Sequence, residues 1–176
     1  MIEQARARQA SLGLANLDWR VGDAARLPFE DAVFDRVVTR YSFHHMLRPG
    51  LALAEMKRVC RPGGRVVVCD ATPAPQAQAA YDRFETLRDP SHASALTVEQ
   101  LRALGREAGL AEIGIDHHRL EADVADLADT QDLAAVSAVL EADIACGEDR
   151  TDLAAKRVDG RLKIFFPISI FAWRKG

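Results

Sequence analysis

Residues Val21–Asp70 read VGDAARLPFEDAVFDRVVTRYSFHHMLRPGLALAEMKRVCRPGGRVVVCD, two short apolar runs separated by a helical segment. Val33 to Thr39 is rich in β-branched residues, lies between an acidic turn and a polar-aromatic cluster, and reads as a buried strand. Arg65 to Cys69 carries three successive valines, a run that burial on both faces explains and strict alternation does not. Between them, Leu51 to Arg61 sets Leu51, Ala54, Glu55 and Val59, with Leu53, Met56 and Cys60 nearby, on a broad helical face, and Arg61-Pro62-Gly63-Gly64 is expected to stop it. A strand, helix, strand unit of this kind belongs to the middle of a mostly parallel sheet with helices on both sides. Ligands of such sheets sit outside the carboxyl ends of the strands. Here those ends are Gly22-Asp23-Ala24, Arg40 to His45 and Asp70 to Thr72, and the pocket is expected there.

Working outward, Met1 to Leu14 has a helical pattern closed by Gly13, and Leu17, Trp19 and Val21 alternate with Asp18 and Arg20 as an edge strand would. Beyond Asp70, Gln76 to Leu87 is predicted helical with Ala77, Ala80, Tyr81, Phe84 and Leu87 on one side. Thr97 and Gln100 form a capping box that opens a helix through Ala108, with Gly109 as its stop. Glu112 to His118 reads as a strand, and Glu121 to Cys146 as an acidic, alanine-rich helical tract. Leu162 to Trp173 is β-rich, and Pro167, lacking an amide donor, predicts a bulge, a break or an unpaired position.

The chain has 176 residues, 48% of them apolar, and a net charge of -3. That length supports one core. The charge balance favours neither nucleic acid nor an anionic membrane as a partner. No apolar span approaches the roughly 18 residues that cross a bilayer. Cys60, Cys69 and Cys146 make no metal motif and read as buried reduced thiols, which suits a cytoplasmic location. The pairs His44-His45 and His117-His118 lack the Cys, Asp or Glu spacing that would complete a metal set.

Gly22-Asp23-Ala24, Leu27-Pro28-Phe29, Phe34-Asp35-Arg36-Val37-Val38, His44-His45 and Glu55 through Gly64 follow one another over about fifty residues in an order that resembles the class I S-adenosylmethionine-dependent methyltransferases. The resemblance is closest to the branch that includes the ubiquinone and menaquinone C-methyltransferases. It implies an α/β, Rossmann-like fold with a mostly parallel sheet, an antiparallel C-terminal strand and helices on both faces. It implies S-adenosyl-L-methionine as cofactor, with residues 1–72 as the cofactor-binding half of one partial domain and residues 73–176 as the acceptor-side half. Asp23 and Ala24 stand where the family contacts the adenine. Arg40, Tyr41 and His45 face the methyl-bearing end, where an aromatic face can attract a sulfonium. His45, Asp70 and His92 are the candidates for a catalytic base, and Asp89 with His92 could instead order a loop over the acceptor.

The family's glycine-rich turn after its first strand, and the carboxylate after its second, have no counterpart in these residues, because Met1 to Arg6 resembles the helix that follows the second strand. The expected consequence is an incomplete, N-terminally truncated domain with an exposed flank at Val37 and Val38. Its sheet is completed by another copy or a partner chain, rearranged, or left unfinished by a fragmentary chain. Arg40-Tyr41-Ser42-Phe43 stands where amino-directed enzymes carry Asn/Asp-Pro-Pro-Tyr, so a small organic acceptor is expected. Two readings follow: a methyltransferase by descent, weak or inactive as this chain alone, or a degenerate methyltransferase-like module that regulates or binds a partner.

Overall fold

The computed structural model describes residues 2–127 and 132–176. In chain order these form α1 (Ile2–Ser11), β1 (Phe34–Arg40), α2 (Pro49–Val59), β2 (Cys60–Ala71), α3 (Gln78–Arg88), α4 (Val98–Glu107), β3 (Leu110–Asp123), α5 (Leu133–Cys146), β4 (Lys156–Val158) and β5 (Arg161–Lys175). One sheet runs in the order β1-β2-β5-β3, with β4 making a short hairpin on β5. The β1–β2 pair is parallel and every other pair is antiparallel. The mostly parallel sheet expected from the first seventy residues is therefore mixed, because the two longest strands, β3 and β5, pair with each other.

Successive residues of β2 point to opposite faces, so its unbroken apolar run feeds two cores. Val66 and Val68 join Leu53 and Met56 of α2, Leu101 of α4, Phe171 and Trp173. Cys69 and Ala71 join Tyr81 and Phe84 of α3, Val136 and Leu140 of α5, Ile164 and Ile168. Helices thus cover both faces, as the sequence pattern requires.

α2 starts at Pro49, whose missing amide hydrogen costs nothing in a first turn. It ends at Cys60, before the expected stop. Arg61-Pro62-Gly63-Gly64 is instead part of β2, where the register slips from Phe34↔Cys60 to Arg36↔Arg65 and makes a bulge. Gly63 has a φ of 74°, and a Cβ on Gly64 would lie 2.9 Å from the Asp35 carbonyl oxygen. The glycines serve a close backbone approach here and do not terminate a helix.

The predicted strand Leu17 to Val21 does not form, and an isolated bridge between Asp23 and Arg26 is all the pairing in that region. A strand needs a neighbouring strand for its amides, and none of the described strands pairs with it. Val21 is 86% exposed, α1 buries no residue, and Val38 on β1 is 63% exposed. Among the described residues β1 is paired only to β2, which leaves the flank predicted at Val37 and Val38 open.

The capping box is present in full, with the Gln100 amide donating to Thr97 Oγ1 and the Thr97 amide to Gln100 Oε1. The acidic tract is not one helix. Glu121 to Asp123 still belong to β3, a 3-10 turn follows at Val124–Asp126, residues 128–131 lie outside the described residues, and α5 begins only at Leu133. Pro167 does not break β5. Its carbonyl accepts from the Thr72 amide, so its nitrogen faces the point where β2 turns away and no ladder bond is lost. Cys60 and Cys69 are buried, but Cys146 is exposed.

Candidate functional site

β1 and β2 end side by side, with Arg40 in register with Cys69. Tyr41, at a φ of 51°, turns the chain out of the sheet, and a 3-10 turn follows over Phe43–His45. Asp70 is the next residue along β2, and its carboxylate holds that turn. Its Oδ2 accepts from the amides of Ser42 at 3.0 Å and Phe43 at 2.7 Å, and its Oδ1 accepts from the Ala71 amide at 2.8 Å. His44 Nδ1 lies 2.5 Å from the same Oδ1. A carboxylate only accepts, so Nδ1 carries a proton, and in the neutral ring Nε2 is the nitrogen with the free lone pair.

Burial of the His44 ring acts to lower its pKa, and the hydrogen bond and charge of Asp70 override that, so His44 lies above its ordinary 6.5. The folded protein therefore holds this proton more tightly than the unfolded chain. The ion pair stabilises the fold fully below pH 6.5 while Asp70 is charged, and its contribution is lost as pH rises through the raised value. The bare imidazole that could take a proton appears over that same rise. Titrating the His44 Hε1 resonance is expected to give a midpoint above 6.5. A midpoint at or below that value would refute the Asp70 coupling.

The loop after α3 is strapped to this turn. The amides of Ala93 and Ser94 donate to the His44 carbonyl. His45 Nδ1 lies 3.1 Å from the Ser91 carbonyl and 3.0 Å from Ser91 Oγ, which donates to Asp89. Those Ser91 bonds, from side chain and then backbone, hold the Asp89 carboxyl below its usual range. His92 bonds Asp82 through Nε2 at 2.7 Å, and its buried Nδ1 has no partner among the described residues.

A cavity of about 240 Å³ opens between this turn, α3 and the β3–β5 pair. Tyr41, His44, His45 and Asp70 line one side, Tyr81, Glu85, Arg88 and Asp89 another, and Leu120, Leu127, Phe166 and Ile168 the apolar floor. Glu85, 2% exposed, is neutralised by Arg88 Nη2 at 2.6 Å. Of the residues singled out in the sequence, His45, Asp70, Tyr41 and Asp89 meet here. His92 packs behind His44, with ring centroids 5.7 Å apart, and does not line the cavity.

His44, Tyr81, Glu85 and Arg88 were missed by sequence reasoning. The last three recur at helical spacing along α3, and that spacing was the available signal. The expected apolar face of α3 is corrected accordingly: Leu87 is 40% exposed, and Glu85 takes the buried position.

Asp23 is exposed, and its Oδ1 accepts from the Ala25 amide at 2.8 Å in a tight turn. Ala24 lines a separate cleft of about 450 Å³ with Trp19, Leu27, Phe29 and Phe34. The guanidinium of Arg40 lies over the Tyr41 ring, 4.5 Å from its centroid.

The family described as Methyltransferase domain matches residues 1–68. The uncharacterized protein YafE of Escherichia coli is 40% identical over 110 residues, 61% of this chain and 51% of that protein. The ubiquinone/menaquinone biosynthesis C-methyltransferase UbiE of Roseobacter denitrificans is 40% identical over 87 residues, 48% of this chain and 35% of the relative. These matches support a class I S-adenosylmethionine-dependent methyltransferase for the part of the chain they cover. The chain spans about half or less of the length of those curated relatives. In fold, the YcgJ protein of Bacillus subtilis superposes with a TM-score of 0.83 at 21% identity, covering 100% of this chain and 79% of that one.

The match to the methyltransferase domain implies S-adenosylmethionine, and the described residues do not by themselves fit it. The Asp23 carboxylate, expected at the adenine, is tied into its own turn. The Tyr41 face expected to meet a sulfonium carries the Arg40 cation instead. No glycine-rich strand-to-helix turn and no carboxylate placed for a ribose diol occur among the described residues. What the fold does assemble is a small cavity beside an imidazole oriented by a carboxylate. Among the described residues no helix is long and apolar enough to cross a membrane.

Proposed function

We propose that this chain supplies the acceptor side of a methyl-transfer site and that the cavity between His44 and α3 binds a small organic acceptor. The observation that carries this reading is the His44–Asp70 pair at 2.5 Å, in a cavity that draws on both residues 1–72 and 73–176. S-adenosylmethionine would supply the methyl group when bound. His44 Nε2 takes the proton that the acceptor atom must lose, and Asp70 holds the ring and stabilises the imidazolium. Asp70 is then a positioning residue, whereas His45, anchored to Ser91, walls the cavity. The apolar floor of Leu120, Leu127, Phe166 and Ile168 would receive the apolar face of the acceptor.

Alone, the 176 residues are expected to bind the cofactor weakly. Calorimetric titration of S-adenosylmethionine and S-adenosylhomocysteine into the purified chain should give dissociation constants weaker than about 1 mM, less than about 4 kcal/mol of binding. Micromolar binding would show that these residues build the cofactor site after all. A second reading, a methyltransferase-like module that docks a partner chain or another copy, draws its support from the unpaired edge of β1 and the exposed Val38. In that reading the cavity need bind nothing.

A further inference from the structure

A further cleft, of about 540 Å³, is lined by Thr72 after β2, Val98 of α4, His117 and Arg119 of β3, and Pro167 and Ser169 of β5. That volume lies within the roughly 300–1,000 Å³ of small-molecule sites, and the methyl-transfer reading makes no use of it. Ser169 is 0% exposed and Thr72 is 7% exposed. Buried hydroxyls need partners, and these two have each other, at 2.5 Å, and the ring of His117, whose Nδ1 lies 2.8 Å from Ser169 Oγ. Thr72 Oγ1 has no other partner among the described residues, so its proton goes to Ser169 and the Ser169 proton goes to Nδ1. In the neutral ring Nε2 then carries the N–H. His117 itself is exposed, so two buried hydroxyls orient a donor at the surface. Arg119 lies two residues along β3 and so on the same face. Its Nη1 donates to the carbonyls of Asp152 and Phe165 and its Nη2 to Asp152 Oδ1. Its Nε–H and second Nη2–H, the parallel pair along one edge of the guanidinium, have no partner among the described residues. The Asp152 carboxylate is engaged on both oxygens, by Arg119 and by the Ala74 amide at 2.7 Å.

We infer that this cleft is a second ligand site, and that its ligand is a small organic carboxylate. The spare hydrogen-bonding capacity of the side chains here is on the donor side, which suits a group that only accepts. The free edge of Arg119 matches the two coplanar oxygens of a carboxylate, and the His117 Nε2–H adds a third donor. Val98, Pro167 and Ile168 give the body of the ligand an apolar surface. A phosphate would bring a second negative charge beside Asp152, whose own charge already takes that of Arg119, so the single charge of a carboxylate is preferred. Nothing in this site requires the cavity at His44 to bind an acceptor, and no bond is made or broken in it.

The test titrates benzoate and its uncharged counterpart benzamide into the purified chain, followed by 1H–15N spectra with the histidine rings assigned. Benzoate is expected to bind with a dissociation constant of about 1 mM or tighter, about tenfold more tightly than benzamide, and to shift the resonances of His117 and Arg119. Arg119→Lys keeps the charge that faces Asp152 but lacks the parallel pair of donors, so benzoate should weaken about tenfold and benzamide should not change. His117→Gln, at an exposed position, is expected to weaken benzoate severalfold, and it decides the matter should Arg119→Lys fail to fold. Ser169→Ala reads the orientation of the ring directly: the 15N shifts of His117 should leave the single Nε2–H form of the wild type for a mixture of tautomers, and benzoate affinity should fall with them. Equal affinity for the two probes, no benzoate binding at millimolar concentration, shifts confined to the cavity at His44, or benzoate affinity unchanged in His117→Gln would each overturn the inference.

Discussion

Replacing Asp70 with alanine is expected to destabilise the chain by about 4 kcal/mol, a large share of the roughly 5–15 kcal/mol that holds a domain folded. The carboxylate is 3% exposed and accepts from the amides of Ser42, Phe43 and Ala71 and from His44. Alanine leaves those donors without their shared acceptor, and water from the adjoining cavity is expected to replace its bonds only in part. The 3-10 turn that carries His44 has no side-chain cap of its own, so it should loosen with the loss. Asp70→Asn is the sharper variant. It keeps the shape and one acceptor oxygen, but it sets an NH2 group against either the turn amides or the His44 N–H. A loss of about 2 kcal/mol is expected, and the His44 pKa should fall because its counter-charge is gone. Urea unfolding of both variants with the His44 titration checks this. A loss below about 1 kcal/mol for the alanine variant would mean that Asp70 does not hold the turn.

The second large effect concerns the other face of the sheet. Trp173 on β5 is 1% exposed, stacks on Phe171 with centroids 5.0 Å apart, and fills the space against α4. Trp173→Ala is expected to cost about 3–5 kcal/mol through lost transfer and the void left behind. α4 approaches this closely because residue 105 is glycine. A Cβ there would lie 2.5 Å from the Trp173 ring nitrogen and 2.7 Å from Cε2. Gly105→Ala should therefore cost about 1–3 kcal/mol by overpacking, although alanine favours a helix. Combined with Trp173→Ala, the added methyl enters vacated space, and the two losses are expected to sum to more than the double variant shows. Additive losses in thermal unfolding would mean that α4 shifts to relieve the clash.

The local elements were set by the sequence itself. β1, α2 and β2 follow from β-branched runs and a helical apolar stripe within fifty residues, and the Thr97–Gln100 capping box needs only its own four residues. That pattern also pointed to the carboxyl ends of the strands, where the cavity lies, and the candidacy of Asp70 and Tyr41 came from the family resemblance. What the sequence left open depended on partners distant along the chain. Leu17 to Val21 has a strand's alternation but no neighbouring strand among the described residues, so its amides stay unladdered. Arg61 to Gly64 looks like a helix stop, and the closeness of the Asp35 backbone makes it a bulge. His44 and His45 cannot be told apart by composition. The choice falls to Asp70, 26 residues away, which orients one ring toward a carboxylate while Ser91 claims the other. Glu85 breaks the apolar face of α3 because Arg88 neutralises it at a cavity wall that only the packed sheet creates. Periodicity fixes what lies within a few turns or one strand, where neighbours are covalently near. The environment of a buried polar group is decided by whatever the tertiary fold sets against it.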